Sequence, residues 1–485
     1  MNSELIPLMV VLPMAAAVLL NLLHGRRLAL TAAVAALGFI FILLPFTVAY
    51  GAHYFGGWTR DGATGLAVGI IYMFGAHQRL LIVFLALVAY FAAIAHLNSG
   101  GRVSGVYLGF LMLGLGTCTA VLLTDDLFNL YVFLEITLIS QTALVVSTGT
   151  EGAWKAAVKY LIIANVAGNC LLLGIALLLS LVGSLNIADM QSYVAANGTT
   201  VLKSPVFLLS CALITLAWSY ASGLFPFHNI KAEMYSQARP HAAGLMQVQT
   251  KFILVAVGLV MLRLFGGVPH LRTVVLYVAM GAMVFGVIMA LRQDNYQHML
   301  SYHAISQAGY VAAGLSIGTP AAVAAGIFHA LNNALYKTAL FIGSECVQRR
   351  GRTGEFRLLG GLMQTMPAVA ILVLIAKLAI SGVPPFNGFQ SKFMLMVSAF
   401  DAGLPEVTVI MLLVSVLTFI SMMKAYHMVF LRPPEAPVEP GEAVPYSYTI
   451  TLIVLVSLCV VLGFYPQIAL GYIQEVALRT GLGWT

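Results

Sequence analysis

Residues 366–393 read MPAVAILVLIAKLAISGVPPFNGFQSKF. An apolar run carrying one lysine, Lys377, reaches Ser381 and breaks at Gly382-Val383-Pro384-Pro385 before NGFQSKF resumes with Lys392. Proline removes a backbone donor and clashes with the preceding turn. At membrane depth such a break survives only where protein or water satisfies the freed backbone groups. A similar interruption stands earlier, at Ser222-Gly223-Leu224-Phe225-Pro226-Phe227.

The surrounding composition makes the membrane the natural setting. Of 485 residues, 60% are apolar and 8% charged, against about a quarter charged in a soluble domain. About 290 apolar residues, at roughly 20 per spanning helix, supply some fourteen spans. The polar stretches at 51–65, 186–204 and 433–445 are each far shorter than a domain. The net charge of +7 comes from basic residues scattered singly between apolar runs, which reports topology and not a nucleic-acid surface. The cysteines at 118, 170, 211, 346 and 459 lie far apart, whereas iron–sulfur and zinc sites need clustered thiolates. No redox centre, cofactor or metal site is therefore expected in this chain. The opening MNSELIPLMVVLPMAAAVLLNLL has an acidic n-region and no small-residue cleavage site, and reads as a retained first span.

Apolar runs place helices near 5–23, 28–50, 79–97, 106–124, 127–147, 156–182, 206–224, 241–264, 273–291, 299–317, 320–343, 366–383, 406–430 and 447–471. The expected fold is an all-α integral membrane protein of about fourteen helices. The seventh and twelfth are broken, five helices apart, so helices 4–8 and 9–13 pair as repeats; five being odd, the second enters from the opposite face. Such inverted repeats with broken helices point to an ion or substrate pathway. The corresponding division is 1–105 (helices 1–3), 106–265 and 266–432 (the repeats) and 433–485 (helix 14).

If the loop after each odd-numbered helix is cytoplasmic, that side holds Arg26, Arg27, Arg102, Lys155, Arg239, Arg292, Arg349, Arg350, Arg352, Arg357 and Arg432, and the other holds Arg60, Lys203, Arg272 and Arg479. The positive-inside bias then puts both termini outside.

With charges so scarce, those inside helices stand out. Glu135 lies in FNLYVFLEITLIS and Lys251 in QVQTKFILVAVGL. His329, Asn333 and Lys337 recur at i, i+4 and i+8 on one helical face, while Lys377 precedes the second break and Lys392 follows it. A charge at the bilayer centre costs at least roughly 3 kcal/mol on insertion scales, so these groups need pairing or water. Burial brings lysine and glutamate toward the range where a proton is taken and released, and histidine already titrates near neutral pH. A series of such groups can relay protons. The alternatives are structural ion pairs and, for lysine, snorkelling to the interface. Tyr302, His303, Gln307 and Tyr310 extend the relay or glue helices together; glue is the reading for Asn165 and Asn169, and His228 after the first break is a candidate gate.

At these motifs the chain resembles the antiporter-like subunits shared by Mrp-type cation/proton antiporters, energy-converting membrane-bound hydrogenases and respiratory complex I. The resemblance covers nearly the whole chain and rests on TDDLFNLYVFLEI (124–136), FPFH (225–228), LSYHAISQAGY (300–310), FHALNNALYKTALF (328–341) and SGVPPFNGFQSKF (381–393). The first of these looks more like the Mrp and hydrogenase branch. The resemblance implies a fourteen-helix fold with a proton or sodium path along a central hydrophilic axis. Glu135 matches the helix-5 glutamate, Lys251 the helix-8 lysine, His329 and Lys337 the helix-11 pair, and Lys392 the helix-12 lysine that ends the axis. It also implies partners: other membrane subunits, homologous ones included, and a peripheral redox arm in some complexes.

Three departures stand out. The position of the family's helix-7 lysine, five residues before the proline, is Ala221, which leaves Glu135 without its expected partner; Lys231 lies ten residues on, past the break. The WLPDAH that usually follows the break reads NIKAEMY, with Glu233 near the usual aspartate. The basic pair before the helix-10 motif reads Gln297-His298. The expected function is proton or sodium translocation within a multisubunit membrane complex of the prokaryotic cytoplasmic membrane. A non-conducting structural subunit is the alternative that the missing lysine supports, and a transporter of a small organic solute is a third that leaves the lysine–histidine series unexplained.

Overall fold

The computed structural model describes residues 3–23, 27–60, 67–99, 104–433 and 441–479. The chain begins with α1 (Leu8–Leu22) and α2 (Arg27–Leu43) and continues through β1 (Ala52–Arg60) and β2 (Ala67–Phe74). It then runs through α3 (Ala76–Leu97), α4 (Gly105–Leu123), α5 (Leu127–Val146) and α6 (Glu151–Val182). Next come α7 (Ile187–Leu202), α8 (Pro205–Ala221), α9 (His228–Gln237) and α10 (Pro240–Phe265). The second half holds α11 (Leu271–Leu291), α12 (Tyr296–Ile317), α13 (Pro320–Gly351), the single turn α14 (Leu362–Thr365), α15 (Pro367–Ser381) and α16 (Asn387–Asp401). It closes with α17 (Pro405–Tyr426), α18 (Tyr446–Phe464) and α19 (Gln467–Arg479).

Each of the first thirteen expected spans overlaps one helix, and local chemistry explains the boundaries. Asp126 caps α5 by accepting the Asn129 N–H at 2.7 Å, and Asn295 caps α12 by accepting from Gln297 and His298; each satisfies donors that a helix start leaves open. α6 and α12 end on left-handed glycines, Gly183 and Gly318, the usual stop.

Ten helices among the described residues are long and apolar enough to cross a membrane. The shorter α8 and α15 are the pieces that stop at the two breaks. α12 and α13 are more polar because protein, not lipid, surrounds them: α13 is buried on nearly every side from Ala322 to Ser344. α10 is equally enclosed, whereas α1, α2, α6 and α17 turn apolar side chains such as Leu22, Phe39, Ile162 and Leu413 outward, as helices facing lipid do. The chain is an integral, multi-pass membrane protein.

The structure adds elements the apolar pattern does not carry. Within the polar stretch at 51–65, the described residues 52–60 form β1, which pairs antiparallel with β2, Ala52 with Phe74 and Tyr54 with Tyr72. This hairpin docks on the α4–α5 turn through Asp125 N–H to the Ile71 carbonyl at 2.8 Å. The stretch at 186–204 is α7, capped by Asn186. The last expected helix is two, divided at Tyr465-Pro466. Asn165 and Asn169 do not glue helices within this chain: they are exposed on α6 and bond to each other at 2.9 Å. Arg26 and Arg102 lie outside the described residues.

Contacts between helix ends define two faces. The hairpin, the α4–α5 turn, Asn186 and Arg263 meet at one. At the other, Arg349 donates to the Asn98 carbonyl and pairs with Glu442, and Arg350 donates to the Gly441 carbonyl; we refer to it as the Arg-rich face.

Candidate functional site

The two breaks share a local design. α8 stops at Ala221, Gly223 adopts φ 67°, and the chain turns through Phe225-Pro226 before α9 begins. α15 stops at Ser381, Gly382 adopts φ 79°, and the chain turns through Pro384-Pro385 before α16. Only glycine adopts these dihedrals without penalty. Each glycine also lies against the stem of the lysine past its break. A Cβ on Gly223 would stand 2.7 Å from Lys231 Cγ, and one on Gly382 would stand 3.0 Å from Lys392 Cδ.

In the first half, Glu135 projects from α5 against Gly168 of α6, where any Cβ would come within 2.4 Å of its Oε1. It lines a crevice of about 20 Å³ together with Tyr220 and Ala221. A lysine at 221 would therefore enter the carboxylate's own crevice. As it stands, Glu135 makes no ion pair among the described residues; its electrostatic neighbours are Tyr131, Tyr160 and Tyr220.

Lys231 is 1% exposed. Its Nζ donates to the Tyr160 hydroxyl at 2.6 Å and to Gln141 Oε1 at 3.1 Å, and it lies 4.7 Å from the Tyr160 ring centre. Gln141 in turn donates to Gln249 Oε1 at 2.9 Å, two residues before Lys251 on α10. Gly114 of α4 leaves space for this pair, since a Cβ there would stand 2.6 Å from Gln249 Nε2. Lys251 is fully buried, its Nζ has no hydrogen-bond partner among the described residues, and its electrostatic neighbours are Lys231, Lys337 and His329.

The second half continues the row. Lys337 donates to the Leu300 carbonyl and faces His303, which pairs through Nε2 with Ser421 at 2.9 Å. His329 is held at both nitrogens, Nδ1 by Ser391 at 2.9 Å and Nε2 by Gln307 Oε1 at 3.1 Å. Asn333 bonds the Tyr336 hydroxyl, which donates to the same Gln307. Lys392 donates to the Ile380 carbonyl at 2.8 Å and Ser415 Oγ at 3.1 Å, and sits 4.9 Å from the ring centre of Tyr310, itself in contact with His329. Lys377 is fully buried, donating to the Met422 carbonyl at 3.3 Å over the Tyr296 ring, and is a neighbour of His303.

The structure thus brings together Lys251, His303, His329, Asn333, Lys337, Lys377 and Lys392, with Glu135 at one end reached through Tyr160. His228 stands apart, stacked on Phe225 and Phe285. Tyr302 has Glu233 as its electrostatic neighbour. Glu233 pairs with Lys159 at 2.9 Å, and Gln297 donates to the carbonyls of Tyr235 and Ala238, tying α12 to the end of α9. Tyr160, Gln141 and Gln249 escape a search for buried charge because they are neutral. Lys231, which the sequence shows as the lysine past the first break, lies in NIKAEMY and not in an apolar run, so a search for charge inside apolar runs passes it over.

A cavity of about 460 Å³ lies off the row at the hairpin face, lined in part by His53, His77, Asp125, Gln191 and Arg263. Burial raises the Asp125 carboxyl above the usual carboxylate range, opposed by the Arg263 guanidinium 3.1 Å away.

Residues 124–421, which span every member of the row, match the family described as NADH:quinone oxidoreductase/Mrp antiporter, TM. An uncharacterized protein of Methanocaldococcus jannaschii is 41% identical over 99% of both chains. A subunit of the Na(+)/H(+) antiporter of Alkalihalophilus pseudofirmus is 31% identical over 73% of this chain and 72% of its own. A chain of the Mrp complex from Dietzia sp. DQ12-45-1b superposes with a TM-score of 0.89 at 22% identity, covering 99% of each chain.

Proposed function

Because this chain belongs to the NADH:quinone oxidoreductase/Mrp antiporter transmembrane family, and is an antiporter-like subunit of that kind, we propose that it moves protons, or sodium ions, along the row from Glu135 to Lys392. The observation that carries this reading is the succession of buried groups Lys231, Lys251, Lys337, His303 and Lys392, each an electrostatic neighbour of the next, with His329 between Lys251 and Lys392 as a second branch.

In this reading Lys231 takes over from the lysine missing at 221. It reaches the Glu135 neighbourhood through the Tyr160 hydroxyl and the Lys251 neighbourhood through Gln141 and Gln249. It enters from beyond the break, as Lys392 does in the second half, and this supports treating helices 4–8 and 9–13 as inverted repeats within the division 1–105, 106–265, 266–432 and 433–485. Protonation of one amine in such a row raises the cost of a second positive charge beside it, so a proton arriving at one end promotes release farther along. The buried, fully engaged Lys231 favours a conducting subunit over a structural one.

The subunit works inside a multisubunit complex of the cytoplasmic membrane, with the Arg-rich face inward and both termini outside. Its driving force comes from partners, either a redox arm or an opposing sodium gradient, and reaches the row as a shift at the subunit interface. The test reconstitutes the whole complex in vesicles with Glu135→Gln and Lys251→Ala introduced separately, and records pH and sodium gradients. Both changes should abolish translocation with the complex intact; parental rates in both would sink the proposal.

A further inference from the structure

A second buried polar cluster lies where α3, α4, α10, α13 and α18 meet at the Arg-rich face, outside the row. His241, at the start of α10, is fully buried and donates from Nδ1 to Glu345 Oε2 at 2.7 Å; its backbone N–H donates to the same oxygen at 3.2 Å. Its Nε2 shares a hydrogen bond of 3.0 Å with the Tyr107 hydroxyl, and the Tyr107 ring stacks on His96. On the other side, the Tyr448 hydroxyl stands 3.0 Å from Glu345 Oε1 and 2.9 Å from the Ala95 carbonyl, two acceptors for one hydrogen. Arg239, over the Tyr107 ring, and Arg349, on the turn after Glu345, flank the cluster.

Three observations distinguish this cluster from a brace. Glu345 retains 14% of its side-chain exposure while His241 has none, so within the pair only the glutamate side chain reaches the face. Its two helices are those that carry the centre of the row: Lys337 lies eight residues up α13 and Lys251 ten residues along α10, about 12 and 15 Å away. Between them, Gln247 Oε1 on α10 and Thr338 Oγ1 on α13 are buried without a hydrogen-bond partner, as is Lys251 Nζ. Buried polar atoms are normally satisfied by protein or by ordered water. Three unpartnered ones on these two helices leave hydrogen-bonding positions free between the cluster and the row.

We infer that Glu345, held by His241, is the proton-uptake group through which the Arg-rich face feeds the lysine row along the α10–α13 seam. A proton from solvent bonds to the Glu345 carboxylate; it then leaves along the seam past Gln247 and Thr338 to a neutral amine at Lys251 or Lys337, which becomes an ammonium while Glu345 returns to its charged form. His241 is a positioning residue that keeps the carboxylate pointed at the seam. This inference rests on the translocation reading above.

The test uses the whole complex in vesicles, with Lys251→Ala as the reference for that reading. Glu345→Gln keeps the shape of the side chain, with its oxygen able to accept from His241 and its amide able to donate to the Tyr448 hydroxyl, and removes the titrating group; it should slow proton translocation at least tenfold with the complex still assembled. Glu345→Asp should recover most of the rate. Formate, a small weak acid, should accelerate Glu345→Ala several-fold, which a lost brace does not allow. Parental translocation in Glu345→Gln overturns the inference, as does an equal loss in Glu345→Gln and Glu345→Asp with no acceleration of Glu345→Ala by formate. If Lys251→Ala also pumps at the parental rate, the translocation reading itself fails, and not the uptake site alone.

Discussion

The α8–α9 break and the α15–α16 break solve the same backbone problem with different chemistry around their lysines. Both place a left-handed glycine against a lysine stem. Lys231, however, bonds to side chains, Tyr160 and Gln141, that lead on to Glu135 and Lys251, whereas Lys392 bonds to the Ile380 backbone and to Ser415. The first break opens into a branched side-chain network with a carboxylate at its edge. The second holds its lysine on fixed main-chain and hydroxyl acceptors, with His329 and Tyr310 beside it. A backbone acceptor cannot rotate away, so Lys392 suits a terminal position, while Lys231 can exchange partners along the row. A matched backbone at the two breaks therefore does not imply matched wiring around their lysines.

Changes at the shared centre should have the largest effect: Lys251→Ala removes the group between the two networks and should cut translocation in reconstituted vesicles by well over an order of magnitude. Next, Lys231→Met and Lys392→Met should each slow translocation tenfold or more if the two are counterparts; a near-parental rate for Lys231→Met alone would break the comparison. The sharper version combines Lys231→Ala with Ala221→Lys. The new lysine would enter the Glu135 crevice and should restore several-fold the rate that Lys231→Ala loses, whereas failure of rescue in a folded complex would show that Lys231 is not a relocated partner. Smaller still, Gly223→Ala and Gly382→Ala force alanine into the left-handed region at a cost of about 1–2 kcal/mol. Thermal unfolding in detergent should show the larger loss at Gly223, where the stem contact is tighter. Asn165→Ala should change the chain's own stability by no more than about 0.5 kcal/mol, because the side chain bonds only outward on α6.

Much of this was readable from the residues alone. Apolar run length marks a span whatever surrounds it, so most helix starts are legible to within a few residues and the prolines mark the breaks, whereas α13 runs eight residues past its apolar run and α2 stops seven short. Glu135, Lys251, Lys337 and Lys392 were visible because charge inside an apolar run has few innocent explanations. The hairpin was not visible: its strands carry glycines, and its pairing is fixed by docking on the α4–α5 turn. Asn165 and Asn169 misled because a one-dimensional pattern cannot tell the inward face of α6 from the outward one.

That this is a many-helix membrane protein with two broken helices and a short roster of ionisable groups follows from the residues taken one at a time, because the cost of placing polar groups in lipid acts residue by residue. Which of those groups meet follows from how the helices pack. Lys231 sits in a polar-looking segment and becomes an interior lysine because the break folds α9 back against α5 and α6; His241 and Glu345, 104 residues apart, become a pair because α10 and α13 pack side by side. Proximity between distant residues is a property of helix packing, which no local pattern encodes.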